Sequence, residues 1–428
     1  MITAPETIKL FDQDAYASDF SAAVLTAERT VKQEKKGKKG KKEIVTWQLV
    51  LDRTLFFPEE GGQTPDTGTI DGFPVIDVQL EGSVIRHTVL DNRTGEAVKE
   101  DKENPLFSPG QTIRGVIDFT HRFSNMQNHS GEHILSGLVH GRFGYDNVGF
   151  HLSDNTVTLD FNGPLTDEDI LWLEQAANRV VWDNREIRGW YPDPEELRKL
   201  SYRSKKEIDG PLRLVEIPGV DMCACCAPHV RRTGEIGLIK VIRTLRERSG
   251  IRLTILCGSR ALAYMQILQK AAEDVSHLTN MPREEIAAGT SRILEDNDRL
   301  RQREARLEDL LTRSMSAAVP AGQRDVFLFA DGIGNLAQRR LVNTLCETHD
   351  GYCGVFIGTD ETGYRYIIGA ADEKDARVLN TCLNKTCGAR GGGSPAMVQG
   401  SLKCPEDEIR RALEDALTHC TDIPASGS

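Results

Sequence analysis

The stretch "MQNHSGEHILSG", residues 126–137, sets His129 and His133 four positions apart with Glu132 between them. Side chains at i and i+4 share one face of a helix, so two imidazoles placed this way can reach a single ion. Downstream, "DMCACCAPHVRRTGEIG" (221–237) puts Cys225 four positions before His229 and Cys226 three before it. Imidazoles joined by a thiolate suit zinc better than magnesium or calcium, which prefer oxygen ligands. Cys223, Cys225 and Cys226 are all available as the thiolate, and spacing alone does not choose among them. One of these thiols could instead be a nucleophile, but no general base is identifiable beside them.

A different chemistry competes for the same residues. "HSGEH" is formally H-x-x-E-H, the inverted zincin pattern, in which two histidines bind zinc and the glutamate activates water for peptide cleavage. Such a peptidase takes a downstream acidic residue as its third ligand. Here the downstream feature is a Cys–His pair, which disfavours peptide cleavage.

Holding these ligands requires a helix and a strand. Residues 124–143 have helical periodicity, "NTVTLDF" a strand pattern, and "TDEDILWLEQAANRVVWDN" that of an amphipathic helix opened by Thr166 and Asp167. "EIGLIKVIRTL" and "IRLTILCG" read as paired strands. Before them, the chain to about residue 115 is rich in short β-branched runs ("EIVTWQLVLDRTLFFP", "GFPVIDVQLEGSVIRHTVL"), following an opening helix-like stretch. Residues 259–316 read as a long connecting helix. Ile286, Ile293, Leu300 and Leu307 recur every seven positions there, but the second seam is polar (Asn297, Glu304), so packing on neighbours is expected over a strong coiled coil. Pro320 and Gly322 end it. The last unit holds further strands and helices and a glycine-rich loop, "GARGGGSPAMVQGS" (388–401).

The fold class is therefore α+β. The expected layout is a β-rich, barrel-like N-terminal subdomain (1–115), an α/β metal-containing core (116–257), a helical connector (258–320) and a small α/β C-terminal domain (321–428).

Bulk properties narrow the class. At 428 residues the chain can build more than one core. No apolar run approaches a membrane span, and the first residues lack a secretory signal, so a cytoplasmic protein without membrane partners is expected. Ten cysteines over this length point to metal or catalysis more than to a disulfide framework. A net charge of −11 argues against a protein that coats nucleic acid, while leaving room for local basic patches. One is the tip "KQEKKGKKGKKE" (32–43), where Lys38 and Lys39 form either a solvated hairpin loop or an arm that contacts phosphate.

Four motifs in order resemble the free-standing alanyl-tRNA editing proteins of the long type, which are related to the editing and C-terminal parts of alanyl-tRNA synthetase. They are "LDRTLFFPEEGGQTPDTG" (51–68), "NHSGEHIL", "CCAPHVRRTGEIGLIKV" and "GGGSPAMVQGS", and the resemblance covers essentially the whole chain. It implies one zinc held by His129, His133, Cys225 and His229, with Cys225 selected because it aligns with the family cysteine. It likewise implies a DHHA1-like C-terminal domain that helps to bind tRNA. Cys226, Ala227 and Pro228 stand where the family has two small residues and a threonine, and the Lys-rich tip is not part of the pattern.

The activity so implied is hydrolysis of serine, or glycine, wrongly attached to alanine tRNA. A pocket shaped for alanine cannot strongly reject either, so a second site must check the product, and a site that demands a hydroxyl can reject alanine. Candidate substrate-binding groups are Thr54, Gln63 and Thr64. Glu132 and Gln127 are the catalytic candidates, and Arg231, Arg232, Arg390, Gly391, Gly392 and Gly393 join the lysines as tRNA contacts. No segment upstream of residue 43 could house an ATP-binding catalytic domain, so aminoacylation is not expected. A homodimer through the connector or the C-terminal domain is the expected assembly. Two other functions stay open: a non-catalytic zinc-containing tRNA-binding protein, and the inverted-zincin peptidase.

Overall fold

The structure, a computed structural model, describes residues 6–35, 41–93, 105–204, 211–247, 250–371 and 374–419. The chain divides into two compact units, Met1–Ala272 and Glu273–Ser428, the division falling within the helix Gly258–Thr279.

The first unit opens with a closed barrel. Its strands run in the order Asp19–Lys35, Lys41–Leu51, Val84–Asp91, Phe73–Glu81, Gly68–Ile70 and Thr112–Ile117, and the last pairs back onto the first. Closure leaves no free sheet edge. The stretch expected to be helical before the lysine tip is the long strand Asp19–Lys35, and only Leu10–Gln13 forms a helix there. Phe20, Ala22 and Val24 alternate into the barrel, and the partner strand supplies the ladder, so period-two burial overrides the helical propensity of the alanines. The hairpin pairs out to Lys35 opposite Lys41, and Lys38 and Lys39 lie outside the described residues.

Beside the barrel lies the helix Phe119–Phe143. The Asp118 carboxylate caps its start by accepting the His121 N–H, and Gly144, at φ 71°, ends it in the left-handed region. Every residue from Ser124 to Gly137 is buried, so this helix has no solvent face at its centre. It packs on a four-stranded antiparallel sheet ordered Ile239–Glu247, Gly250–Cys257, Val157–Phe161, Asn147–Leu152, and on the helix Asp167–Trp182. The latter starts with a capping box between Thr166 and Asp169. A small sheet of Arg188–Trp190, Leu214–Ile217 and Asp221–Ala224 presents its last strand to the buried helix. Gly137 permits the approach: a Cβ there would stand 2.4 Å from the Val220 carbonyl oxygen.

The second unit carries a five-stranded sheet ordered Val326–Ala330, Tyr352–Thr359, Gly363–Ala370, Met397–Leu402, Arg390–Gly393, with helices Asn335–Thr348, Ala376–Thr386 and Glu406–His419. The glycine-rich segment read as a loop is instead the edge hairpin of this sheet. Its glycines have a packing reason, because a Cβ on Gly391 would meet the Tyr366 hydroxyl at 2.5 Å and one on Gly400 would meet it at 2.6 Å. The connector is also not one helix. Asn280, at φ 52°, and Pro282 separate Gly258–Thr279 from Ile286–Ala317. Ile293, Leu300 and Leu307 are exposed. No helix of the described residues is long and apolar enough to cross a membrane.

Candidate metal centre

The buried helix and the turn after Asp221–Ala224 bring His129, His133, Cys225 and His229 together, with one ligand atom from each lying within 4.8 Å of the others. Cys225 Sγ stands 3.5 Å from His129 Nε2 and 3.3 Å from His229 Nε2. Zinc bonds of about 2.05 Å to nitrogen and about 2.3 Å to sulfur, opened to a tetrahedral angle, separate the two atoms by about 3.6 Å. The cluster therefore has the dimensions of a zinc cage, and its donor set of imidazoles and a thiol is the set zinc prefers.

Each imidazole is held through its other nitrogen. His129 Nδ1 bonds Gln63 Oε1 at 2.8 Å, His133 Nδ1 bonds Asp221 Oδ2 at 2.9 Å, and His229 Nδ1 bonds Ser130 Oγ at 3.0 Å. All three rings thus keep Nε2 for a metal, the outer arrangement that fixes tautomer and orientation in metal sites. Asp221 is itself gripped by both arms of Arg203, at 2.7 and 2.9 Å. The ligand turn is clamped too, since Arg213 Nη1 donates to the carbonyls of Cys225 and Ala227.

Electrostatics favour a thiolate. Burial alone would raise the Cys225 thiol, but the His129 and His229 imidazoles beside it hold it well below its usual value. Burial pushes His229 down to about 3, which keeps its Nε2 free to accept a metal. For His133, burial opposes the charged form, yet the Asp221 carboxylate, followed by Cys225, lifts it well above the usual imidazole range. Cys226 differs from Cys225: burial, then the neighbouring Cys225, then Glu60 push its thiol up. Cys223 is buried and donates to its neighbour's carbonyl.

Gln63 reaches His129 from a tight turn. Glu60 and Gln63 pair across it with N–H···O distances of 3.3 and 3.1 Å, and Gly61 and Gly62 both take positive φ, 63° and 86°. That is the geometry of a type I′ turn, which demands residues free of a Cβ clash at both central positions. Gly62 also passes so close to the Asn147–Leu152 strand that a Cβ would stand 2.4 Å from the Phe150 carbonyl oxygen.

Of the other expected residues, several are engaged in bonds of their own. Thr54 is buried inside the barrel, bonded to His87 Nε2 and the Phe56 N–H. Thr64 Oγ1 is buried without a hydrogen-bond partner. Gln127 spends its amide on the Glu235 carbonyl and the Ser259 N–H. Glu132 is buried rather than solvated, with Oε1 accepting from Ser136 and Asn147 while Oε2 lies 3.8 Å from His133 Nε2. Arg231 stacks over Tyr16 and pairs with Asp14, and Arg232 donates to the Asn184 carbonyl. Arg390 and Gly391–Gly393 are exposed on the edge strand of the second unit. A cavity of about 430 Å³ reaches His229, lined by Asp12, Tyr16, Arg213 and Arg231 among others.

The pattern described as "Threonyl and Alanyl tRNA synthetase second additional domain" matches residues 212–253, which hold Cys225 and His229. Alanine–tRNA ligase of Pyrococcus abyssi is 28% identical over 416 residues, covering 93% of this chain and 42% of the ligase. Alanyl-tRNA editing protein Aarsd1 of Rattus norvegicus is 30% identical over 265 residues, covering 60% of each. This chain is a relative of the alanyl-tRNA editing proteins. It spans less than half of that ligase and 60% of that editing protein. Among solved structures, the C-Ala domain from Aquifex aeolicus alanyl-tRNA synthetase matches at a TM-score of 0.21 with 18% identity, covering 23% of this chain and 96% of that one, a likeness too low to decide anything.

Proposed function

We propose that this chain is a zinc-dependent trans-editing hydrolase that frees serine, and glycine as the smaller misfit, from alanine tRNA. The observation that carries the reading is the cage itself. Three Nε2 atoms and one Sγ converge, and every imidazole is oriented from behind by Gln63, Asp221 or Ser130. Kinship with editing proteins and with a ligase for alanine supplies the substrate class.

One zinc held there supplies a fixed positive charge beside the aminoacyl ester. The chain's own residues do the rest. Hydrolysis adds water to the ester carbonyl and releases the amino acid and the ribose hydroxyl. Gln63, buried and anchored by its oxygen to His129, keeps its Nε2 unpartnered, and Thr64 Oγ1 is unpartnered beside it. Unmet polar atoms next to a ligand are suited to a serine hydroxyl, and they would be left unpaired by alanine. Thr54 stays a candidate only by exchanging its His87 bond. Glu132 has one oxygen committed to Ser136 and Asn147 while the other lies 3.8 Å from His133 Nε2, so it is assigned to electrostatic support of that ring in preference to acting as the base. The cysteine in the ligand set, where an inverted-zincin peptidase takes a carboxylate, disfavours that reading. Arg231, Arg232, the Lys38–Lys39 tip and the exposed Arg390–Gly393 edge are assigned to tRNA, with Arg231 lining the same cavity as His229. The exposed Ile293, Leu300 and Leu307 row is assigned to a homodimer contact. The site of action is the cytoplasm, where charged tRNA is used.

One feature favours a second reading, a zinc-containing tRNA-binding protein without turnover: four protein ligands close a tetrahedral site, as in structural zinc. Multiple-turnover release of serine from serine-charged alanine tRNA, beside alanine-charged tRNA, separates the two. Serine freed catalytically with alanine spared supports editing. Tight tRNA binding by zinc-loaded protein with no amino acid released overturns it.

A further inference from the structure

Glu60 carries a function that its sequence neighbours did not suggest. Residues directly opposite in an antiparallel bridge project to the same face, and Glu60 stands opposite Gln63, whose side chain reaches the metal-ligating His129. The carboxylate of Glu60 therefore points to the metal side of the turn. It also lies against Cys226, the residue next to Cys225, with which it shares a side-chain hydrogen bond. The turn passes close by the same thiol, since a Cβ on Gly61 would be 3.8 Å from Cys226 Sγ.

Three polar atoms in this short segment are buried with no hydrogen-bond partner: Glu60 Oε2, Gln63 Nε2 and Thr64 Oγ1. Buried polar atoms are nearly always paired, so an unmet acceptor and donor side by side mark a place where something else completes the bonds. The acceptor is a carboxylate oxygen, for which a cationic donor is the strongest partner. An aminoacyl ester offers one such group beside the reacting carbonyl, its α-ammonium.

We infer that Glu60 is a specificity-determining residue that binds the α-ammonium of the aminoacyl end, with Gln63 Nε2 and Thr64 Oγ1 meeting the side-chain hydroxyl. This rests on the editing function proposed above. Charge-assisted recognition of this kind restricts the site to free aminoacyl-tRNA and turns away acylated amines and peptidyl esters.

The test compares seryl-tRNA with N-acetyl-seryl-tRNA, both on alanine tRNA, for the native protein and E60Q, after confirming equal zinc content and equal melting temperature. The native protein is expected to prefer the free amine by about ten- to a hundredfold in kcat/KM, the range for a hydrogen bond to a charged group. In E60Q that ratio should fall toward one. A ratio unchanged by the substitution overturns the assignment. If the native protein hydrolyses neither ester, the editing function fails, and the inference is then decided by binding alone. Dissociation constants for non-hydrolysable 3′-amide-linked seryl-tRNA, with and without the acetyl group, should show the same Glu60-dependent preference; equal affinities in the native protein overturn it.

Discussion

Asp221→Asn is the substitution that most sharply separates an oriented metal ligand from a merely packed one. Asp221 takes the His133 Nδ1–H at 2.9 Å and both arms of Arg203, with side-chain exposures of 1% for the aspartate and 13% for the arginine. Burial opposes its charge, but the bonds from His133 and Arg203 outweigh burial and hold the carboxyl below its usual value. An asparagine keeps one acceptor for the imidazole and loses the charge that fixes Arg203. Loss of such an outer partner costs about 10- to 100-fold in metal affinity, or about 1.4–2.8 kcal/mol. Folding stability should also fall, by up to about 3 kcal/mol, because a buried guanidinium loses its counter-ion. Zinc competition against a chromophoric chelator, run on protein shown to be folded, reads the first quantity, and urea unfolding of the metal-free protein reads the second. Arg203→Lys, which keeps charge but not the two-armed bond, should fall between native and Asp221→Asn. Unchanged zinc affinity in a variant that unfolds more readily would refute the reasoning, since Asp221 would then stabilise the fold without orienting the ligand.

Two further outcomes follow from the same first unit. Gly137→Ala drives a Cβ to 2.4 Å from the Val220 carbonyl oxygen and 2.7 Å from Asp221 Cβ, so thermal melting should show a loss of about 1–3 kcal/mol together with weaker zinc binding; a variant as stable as the native protein contradicts the tight helix–strand approach. His87 is buried with Nδ1 toward the Leu49 carbonyl and Nε2 toward the Thr54 hydroxyl, and burial lowers it to about 4. The unfolded chain takes up that proton near pH 6.5, so the stability contributed by keeping His87 neutral is complete above pH 6.5 and is lost as pH falls toward 4, by about 3 kcal/mol in all. Urea unfolding at pH 7 and pH 4.5 should show a larger loss for the native protein than for His87→Gln, and equal losses would remove His87 from the account.

What could be read from the sequence was largely local. The helix from Phe119 and the Thr166 cap carry their signals within a few residues, as do the paired strands ending at Cys257. The i, i+4 histidines and the Cys–His turn supplied a ligand set that the fold brings together. Glu132 and Gln127 looked catalytic because they adjoin the ligands in sequence. An α-helix turns about 100° per residue, and in the fold Glu132 Oε1 meets Ser136 and Asn147 while its Oε2 lies 3.8 Å from His133 Nε2, and the Gln127 amide meets Glu235 and Ser259. Asp221 and Ser130 were missed as outer partners, although both adjoin the ligand motifs and ligating histidines regularly need such acceptors. Arg203 had no local signal, since only the pairing of its backbone with Met222 and Ala224 brings it to Asp221. The strand Asp19–Lys35 and the Arg390–Gly393 edge were misread for a related reason: their conformation is set by strands distant in sequence, and neither alanine nor glycine announces a strand.

The central claim is that one zinc is held by three imidazoles and the single thiolate of Cys225. Zinc K-edge X-ray absorption on the purified protein measures this directly. One sulfur scatterer at about 2.3 Å and three nitrogens at about 2.0–2.1 Å are expected, with the sulfur lost in Cys225→Ser. A second sulfur in the native spectrum, brought in by Cys226 or Cys223, or a sulfur shell that survives Cys225→Ser, would contradict it.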